Sequence, residues 1–163
     1  MKTSECITKV ISSSSELEDV LNLRKEVFVS EQGVPLSEEI DSLDTLEAID
    51  SGRVIHVMAT IGPLLVGAAR LILEGSKTNS DNILEFPHIG RVAVIKSMRR
   101  KGIGEIIMTK LHFIAKNKHF RGVTLSAQVQ VEYFYTQLGY AKRGPVYDDV
   151  GIPHQDMDKI LKG

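Results

Sequence analysis

The chain has 163 residues, a formal net charge of -1 from 20 Lys and Arg against 21 Asp and Glu, and one cysteine, Cys6. That length suits one domain with its own core, a lone cysteine excludes an intramolecular disulfide and fits a reducing compartment, and the near balance of charge gives no general attraction to nucleic acid or an anionic membrane. The longest apolar run, Leu64 to Leu73, is too short to cross a bilayer and is broken by Gly67 and Arg70, and no apolar core follows Lys2 as in a signal peptide, so a cytoplasmic protein is expected.

In chain order, Cys6 to Ile11 reads as an edge strand ended by the serines Ser12 to Ser15. Ser15-Glu16-Leu17-Glu18 has the capping-box form, and Leu17, Val20, Leu21, Val27 and Phe28 carry a helical stripe to Val29. The acidic stretch Glu38 to Asp50 lacks a clean period and reads as a loop with a short helix. Val54 to Ile61 and Leu64 to Glu74 flank Gly62-Pro63, a hairpin signal. An exposed turn at Gly75 to Asn82 precedes a strand ending at Ile95. A helix from Gly102 to Lys116 places Ile103, Ile107, Leu111 and Ile114 on one face. The last third predicts a strand at Val123 to Ala127, a helix at Val129 to Leu138, and two short strands around Tyr140 and at His154 to Ile160. Uneven alternation with an antiparallel middle implies a mixed α/β sheet.

The most informative segment runs from His88 to Ile107, where an apolar strand passes through a basic loop into a glycine-marked helix start. Arg99, Gly102 and Gly104 have the spacing Arg-x-x-Gly-x-Gly, and Lys96, Arg100 and Lys101 crowd the same turn. Glycines let a backbone approach a ligand, and the unpaired N–H groups and dipole of a helix start suit a pyrophosphate. Neither a Walker loop nor a Gly-x-Gly-x-x-Gly fingerprint fits, because Gly104 is followed by Glu105, Ile106 and Ile107. Taken alone the residues would better fit a basic turn on an ordinary helix; the strand before and helix after favour a phosphate cradle.

This segment resembles motif A of the GNAT superfamily of acyl-CoA-dependent N-acetyltransferases, with Val92, Ala93 and Val94 as the splayed strand and Arg99, Arg100, Lys101, Gly102, Ile103 and Gly104 as the pyrophosphate loop. Gln128 to Tyr140 resembles the family's Asn-x-x-Ala-x-x-Leu-Tyr-x-x-x-Gly-Phe helix, with Tyr135 on the tyrosine, Gln128 in place of asparagine and Val131 in place of alanine. Leu23 to Pro35 and Gly151-Ile152-Pro153-His154 resemble a bacterial branch of ElaA-like and YjcF-like proteins. The resemblance implies one GNAT domain over 1–163, with a central twisted, mostly antiparallel sheet whose fourth and fifth strands splay apart, flanked by helices. It also implies acetyl-CoA as co-substrate, direct transfer to a primary amine of a small molecule in a ternary complex, and a monomer or homodimer. The alternatives are an acyl-CoA-binding sensor without turnover, and an acyl-homoserine-lactone synthase, whose usual entry-loop tryptophans are missing here.

The same resemblance makes a backbone N–H at Val92 to Val94 the oxyanion donor and Gln128 and Tyr135 contacts of the coenzyme. Tyr135 is the candidate acid for the leaving thiolate, two helical turns from Gln128 if the helix begins there, whereas Tyr133 and Phe134 read as core aromatics. No acid lies within Ile89 to Ile95, so the base is sought at Glu31, between Phe28 and Gln32 at the end of the first helix, with Glu85 and His88 as nearby candidates. A helix-end charge is the other reading of Glu31. His154 offers a side chain type that changes charge near neutral pH, or a structural histidine. Arg70 and Arg91 each interrupt an apolar strand, either lining a cleft for an anionic acceptor or pairing with Glu31, Asp41 or Asp44. His56 reads as core, and no His, Cys, Asp and Glu set has zinc spacing, so no metal is expected.

Overall fold

The computed structural model describes residues 5–162; Met1–Ser4, where the signal-peptide reading falls, and Gly163 lie outside the described residues. The strands are β1 (Cys6–Val10), β2 (Val54–Ile61), β3 (Leu64–Ile72), β4 (His88–Val94), β5 (Gly122–Gln128), β6 (Ala141–Asp149) and β7 (Ile152–Ile160). They form one sheet in the order β1-β2-β3-β4-β5-β7-β6. All neighbours are antiparallel except β4 and β5. The mixed α/β class and mostly antiparallel sheet thus agree with the sequence reading, although the last two strands are longer than the short ones expected.

Helix α1 (Ser14–Arg24) starts two residues earlier than the capping box at Ser15 would place it. Ser13 Oγ accepts from the Glu16 N–H at 3.2 Å, and Glu16 accepts from the Ser12 N–H at 2.9 Å. Glu16 also pairs with Lys9 of β1. Past Arg24 the helix widens into a π-helical run over Lys25–Glu31, which closes with the Val34 N–H on the Phe28 carbonyl at 2.9 Å. The acidic stretch holds two short helices, α2 (Leu36–Glu39) and α3 (Leu46–Asp50), the latter capped by Thr45.

The sheet is covered on both faces. On one, Leu17, Val20, Leu23 and Val27 of the first helical run pack over Ala68 and Ala93, whose small side chains let the helix approach. On the other, α4 (Ile103–Asn117) buries Ile103, Ile107, Met108, Leu111 and Ala115 against β2, β3 and β5, while Ile114 stays half-buried. Full burial of each large aliphatic side chain contributes roughly 1.5–3 kcal/mol, so these stripes hold the layers together.

The helix expected from Val129 breaks into a 3₁₀ turn at Val129–Val131 and α5 (Glu132–Gln137). Gln128 is consequently the last residue of β5 rather than the start of a helix. Val129 and Val131 are β-branched and give the helix little support at its start. Tyr133 points to solvent with 72% exposure, against its expected place in the core, whereas Phe134 packs on the core edge.

Candidate active site

Strands β4 and β5 pair at only two positions, His88↔Thr124 and Ile89↔Leu125. Beyond them β5 continues on β7, and β4 continues on β3 through a register shift between Ala68 and Arg70. That shift is a β-bulge, and Arg91 within it has φ 53°, a left-handed conformation uncommon for a residue with a side chain. The bulge re-aims β4, which keeps β3 on one side at Gly90, Ala93 and Val94 and faces a gap on the side where β5 has diverged. A cavity of about 530 Å³ opens there, with Val92, Ala93 and Val94 on one wall and Ser126, Gln128 and His154 on the other. Tyr135, Phe28, Gln32 and Arg91 also line it.

Below the gap, β4 runs into the basic loop. Gly102 has φ 83° at the N-cap of α4, so the helix starts with its first N–H groups unpaired by any earlier turn. Lys96, Arg100 and Lys101 make no ion pair among the described residues. A left-handed turn, open amides, a helix dipole and uncommitted cations together suit a pyrophosphate. The two loop glycines differ in purpose. A Cβ at Gly102 would meet nothing within 4 Å, so its backbone conformation is what requires glycine; a Cβ at Gly104 would sit 3.1 Å from the Phe134 ring, so there glycine permits close packing.

Tyr135 lies between Phe134 and Tyr140, edge-on to both, with ring centroids 5.0 and 5.8 Å away. Burial pushes its phenol up to about 12, so it stays protonated at neutral pH. Its hydroxyl has no hydrogen-bond partner among the described residues although it is not an enclosed orphan, which is consistent with a donor open to the cavity.

The family model described as an acetyltransferase (GNAT) domain matches residues 26–161. The chain belongs to the GNAT acetyltransferase family. It is similar to Escherichia coli (strain K12) protein ElaA, 34% identical over 89% of this chain and 88% of that protein, and to Bacillus subtilis (strain 168) "Uncharacterized N-acetyltransferase YjcF", 33% identical over 92% and 96%. Among solved structures, Escherichia coli ElaA superposes with TM-score 0.78 at 29% identity over 94% of this chain and 99% of that one. An acyl-CoA N-acyltransferase from Pseudomonas aeruginosa gives TM-score 0.75 at 30% identity over 94% and 97%. This is therefore a GNAT acyl-CoA N-acyltransferase domain, and its divergent fourth and fifth strands are those of the GNAT fold.

Several expected site residues of this GNAT domain are engaged elsewhere. Arg70 does not line the cavity. It is buried, binding Asp41 through two bonds of 2.8 and 2.6 Å and Asp44 at 3.0 Å. Arg24, in the middle of the α1 stripe, binds Asp44 through two bonds and Glu39 at 2.7 Å. Arg91 does reach the cavity, but it donates to the Glu38 and Glu39 carbonyls at 3.1–3.3 Å and pairs with the Glu39 carboxylate at 3.1 Å. Three guanidiniums thus meet three carboxylates, fastening the segment around α2 to the sheet as a wall of the cavity. A free cationic pair for an anionic acceptor is not formed. Burial tends to raise the Asp41 and Asp44 carboxyls, but Arg70 and Arg24 outweigh it and hold both below the usual carboxylate range.

Glu31, expected as a base, has both oxygens occupied by Arg99, at 2.8 and 2.9 Å, and Arg99 also donates to the Val94 carbonyl at 2.9 Å. The pair ties the end of the π-helical run to the loop, so Glu31 has no idle carboxylate and lies outside the cavity lining. Glu85 pairs with Lys77 and Ser80, and neither it nor His88 reaches the cavity. Gln128 donates to Gln32 at 2.8 Å, joining the two sides of the cleft. His56 is core as read: burial holds its imidazole below the usual range, and Nε2 meets the Leu43 carbonyl at 2.9 Å. No group of three or more potential metal-binding side chains occurs among the described residues, and no helix there is long and apolar enough to cross a membrane.

Sequence reasoning missed Arg24 and Glu39. The signal for Arg24 was present: it sits between Val20, Leu23 and Val27 on the buried stripe, a position a charge occupies only with a partner.

Proposed function

We propose that this GNAT domain transfers an acetyl group from acetyl-CoA to a primary amine of a small molecule, by direct attack within a ternary complex. The observation that carries the reading is the shared cavity: β4 backbone at Val92 to Val94 that lacks a β5 partner, Tyr135 with its uncommitted hydroxyl, and Arg99, the first residue of the cationic loop, border one gap, and the loop runs from there into the glycine-marked start of α4. When bound, acetyl-CoA supplies an already activated thioester, so alignment of the amine accounts for much of the rate.

In this reading the loop from Arg99 to Gly104 holds the pyrophosphate, and a β4 N–H between Val92 and Val94 stabilises the oxyanion. Tyr135 supplies the proton to the departing sulfur. A phenol near 12 is a weaker acid than a thiol with a reference value of about 8.5. Complete transfer to a free thiolate is therefore uphill, and Tyr135 must regain a proton from the attacking nitrogen as it gives one up. That coupling avoids a buried phenolate and keeps the residue unchanged over the cycle.

A screen of the purified chain with acetyl-CoA against small amines, aminosugars, amino acids and peptides, following free thiol, tests this. Amine-dependent thiol release with an acetylated product supports transfer. Tight acetyl-CoA binding without release for any amine class overturns it in favour of a coenzyme sensor.

A further inference from the structure

We propose that His154 is the general base of this site, taking the proton from the acceptor nitrogen; the proposal rests on the acetyl-transfer reading above. His154 lies on β7 directly opposite Gln128 of β5, and opposite residues of antiparallel strands share a face of the sheet. It therefore stands in the wall of the cavity across from Val92 to Val94.

Its ring orientation is set by two contacts. Nδ1 lies 2.7 Å from the Ile152 carbonyl oxygen. A carbonyl can only accept, so Nδ1 carries the hydrogen, and the neutral ring then has its lone pair on Nε2. Tyr147 stacks on the imidazole at a centroid distance of 6.2 Å and an interplanar angle of 24°. Tyr147 is itself anchored, donating to Asp156 at 2.6 Å and accepting from the Ser126 hydroxyl. Nε2 has no hydrogen-bond partner among the described residues and is not an enclosed orphan, unlike Nδ1 of His56. The ring is thus held by one nitrogen and by stacking, while a basic nitrogen remains available beside the cavity.

Other bases are less suitable. Glu39 is locked by Arg24 and Arg91, and Glu31 by Arg99. Glu38 and Asp149 border the cavity but are exposed, with nothing to hold their geometry. The proton balance closes with His154. An ammonium acceptor gives one proton to Nε2, and its nitrogen forms a bond to the acetyl carbon. As the carbon–sulfur bond breaks, the sulfur takes a proton from Tyr135, which recovers one from the new nitrogen centre. His154 then releases its proton to water, and one proton leaves per turnover.

The test uses His154→Asn, which keeps an N–H near the Nδ1 position and removes the Nε2 lone pair. Each primary amine that wild type turns over is paired with an O-substituted hydroxylamine of the same shape, for example benzylamine with O-benzylhydroxylamine. The first is an ammonium at neutral pH and the second is already a free base. With acetyl-CoA saturating, His154→Asn is expected to lose about 10²–10⁴-fold on the ammonium acceptor and less than about tenfold on its hydroxylamine partner. Thermal melting and acetyl-CoA affinity by calorimetry check folding, and His154→Gln replaces the Asn variant should that fail to fold. Unchanged activity, or equal losses on both partners, overturns the role of His154 while acetyl transfer stands. Wild type inactive with every amine removes the acetyl-transfer reading, and this role with it.

Discussion

Glu31 and Arg99 face each other in a two-bond ion pair at 2.8 and 2.9 Å, linking the end of the π-helical run to the loop that opens α4. With both oxygens bound by Arg99, Glu31 is expected to position the loop rather than remove a proton. Glu31→Gln keeps the shape and one acceptor, so turnover is expected to fall by less than about tenfold, where loss of a base costs about 10²–10⁴-fold. Steady-state kinetics at saturating acetyl-CoA decide this, and a hundredfold fall in kcat with unchanged coenzyme affinity would return Glu31 to the chemistry.

Gly102 should be intolerant for two separable reasons. Any side chain in its left-handed conformation costs about 1–2 kcal/mol, although it meets no neighbour. Gly102→Ala is therefore expected to fold with a modestly lower melting temperature. Gly102→Asp adds a carboxylate beside the proposed pyrophosphate and should abolish acetyl-CoA binding by calorimetry; unchanged affinity in the folded variant would place the cradle elsewhere.

Tyr135→Phe removes only the hydroxyl, and the ring keeps its edge contacts with Phe134 and Tyr140. Acetyl-CoA affinity should be nearly intact while kcat falls by about 10²–10⁴-fold where chemistry limits the rate. An unchanged single-turnover rate would remove Tyr135 from the reaction.

Arg70 should matter for stability, not for the acceptor. Arg70→Gln leaves Asp41 and Asp44 with less compensation in a buried setting, a change that costs about 3–5 kcal/mol in comparable buried pairs. Arg91→Gln should cost less, because that side chain is partly exposed. Urea unfolding measures both. A normally stable Arg70→Gln protein with a raised acceptor KM would show a direct substrate contact instead.

Stability should fall as the pH drops from 7 to 5. Burial holds His56 below its ordinary range and takes His112 down to about 4, so both are neutral when folded but protonate near 6.5 when unfolded. Their contribution is whole above that value and is lost as pH falls towards the folded one, by up to roughly 1.4 kcal/mol per pH unit for each. Asp41 and Asp44, also lowered, add a second loss below about 4. Urea midpoints at pH 7.5, 6 and 5 follow the first phase, which His56→Asn should reduce while His112 keeps the rest; a flat profile in the wild type would contradict the assignment.

The local signals in this chain were legible because they are local. The Gly62-Pro63 hairpin, the α4 stripe and the strand–loop–helix unit around Gly102 depend on residues within a few positions of one another, and spacing reports them directly. Ser13 and Ser15 both satisfy a capping pattern, and the structure places the cap bond on Ser13, with the Ser12 N–H donating to Glu16. The roles of the charged residues followed the same rule. Arg70 was legible as a charge in an apolar strand, yet only the folding of residues 39–44 over the sheet brought its carboxylates within 3.0 Å and took it out of the cleft. Sequence by itself therefore determined the family, the sheet class and the strand–loop–helix unit around Gly102. Tertiary structure decided which charges are spent on one another and which groups, Tyr135 and His154 among them, keep a polar atom uncommitted beside the cavity, because pairing between residues distant in the chain is settled only when the layers close.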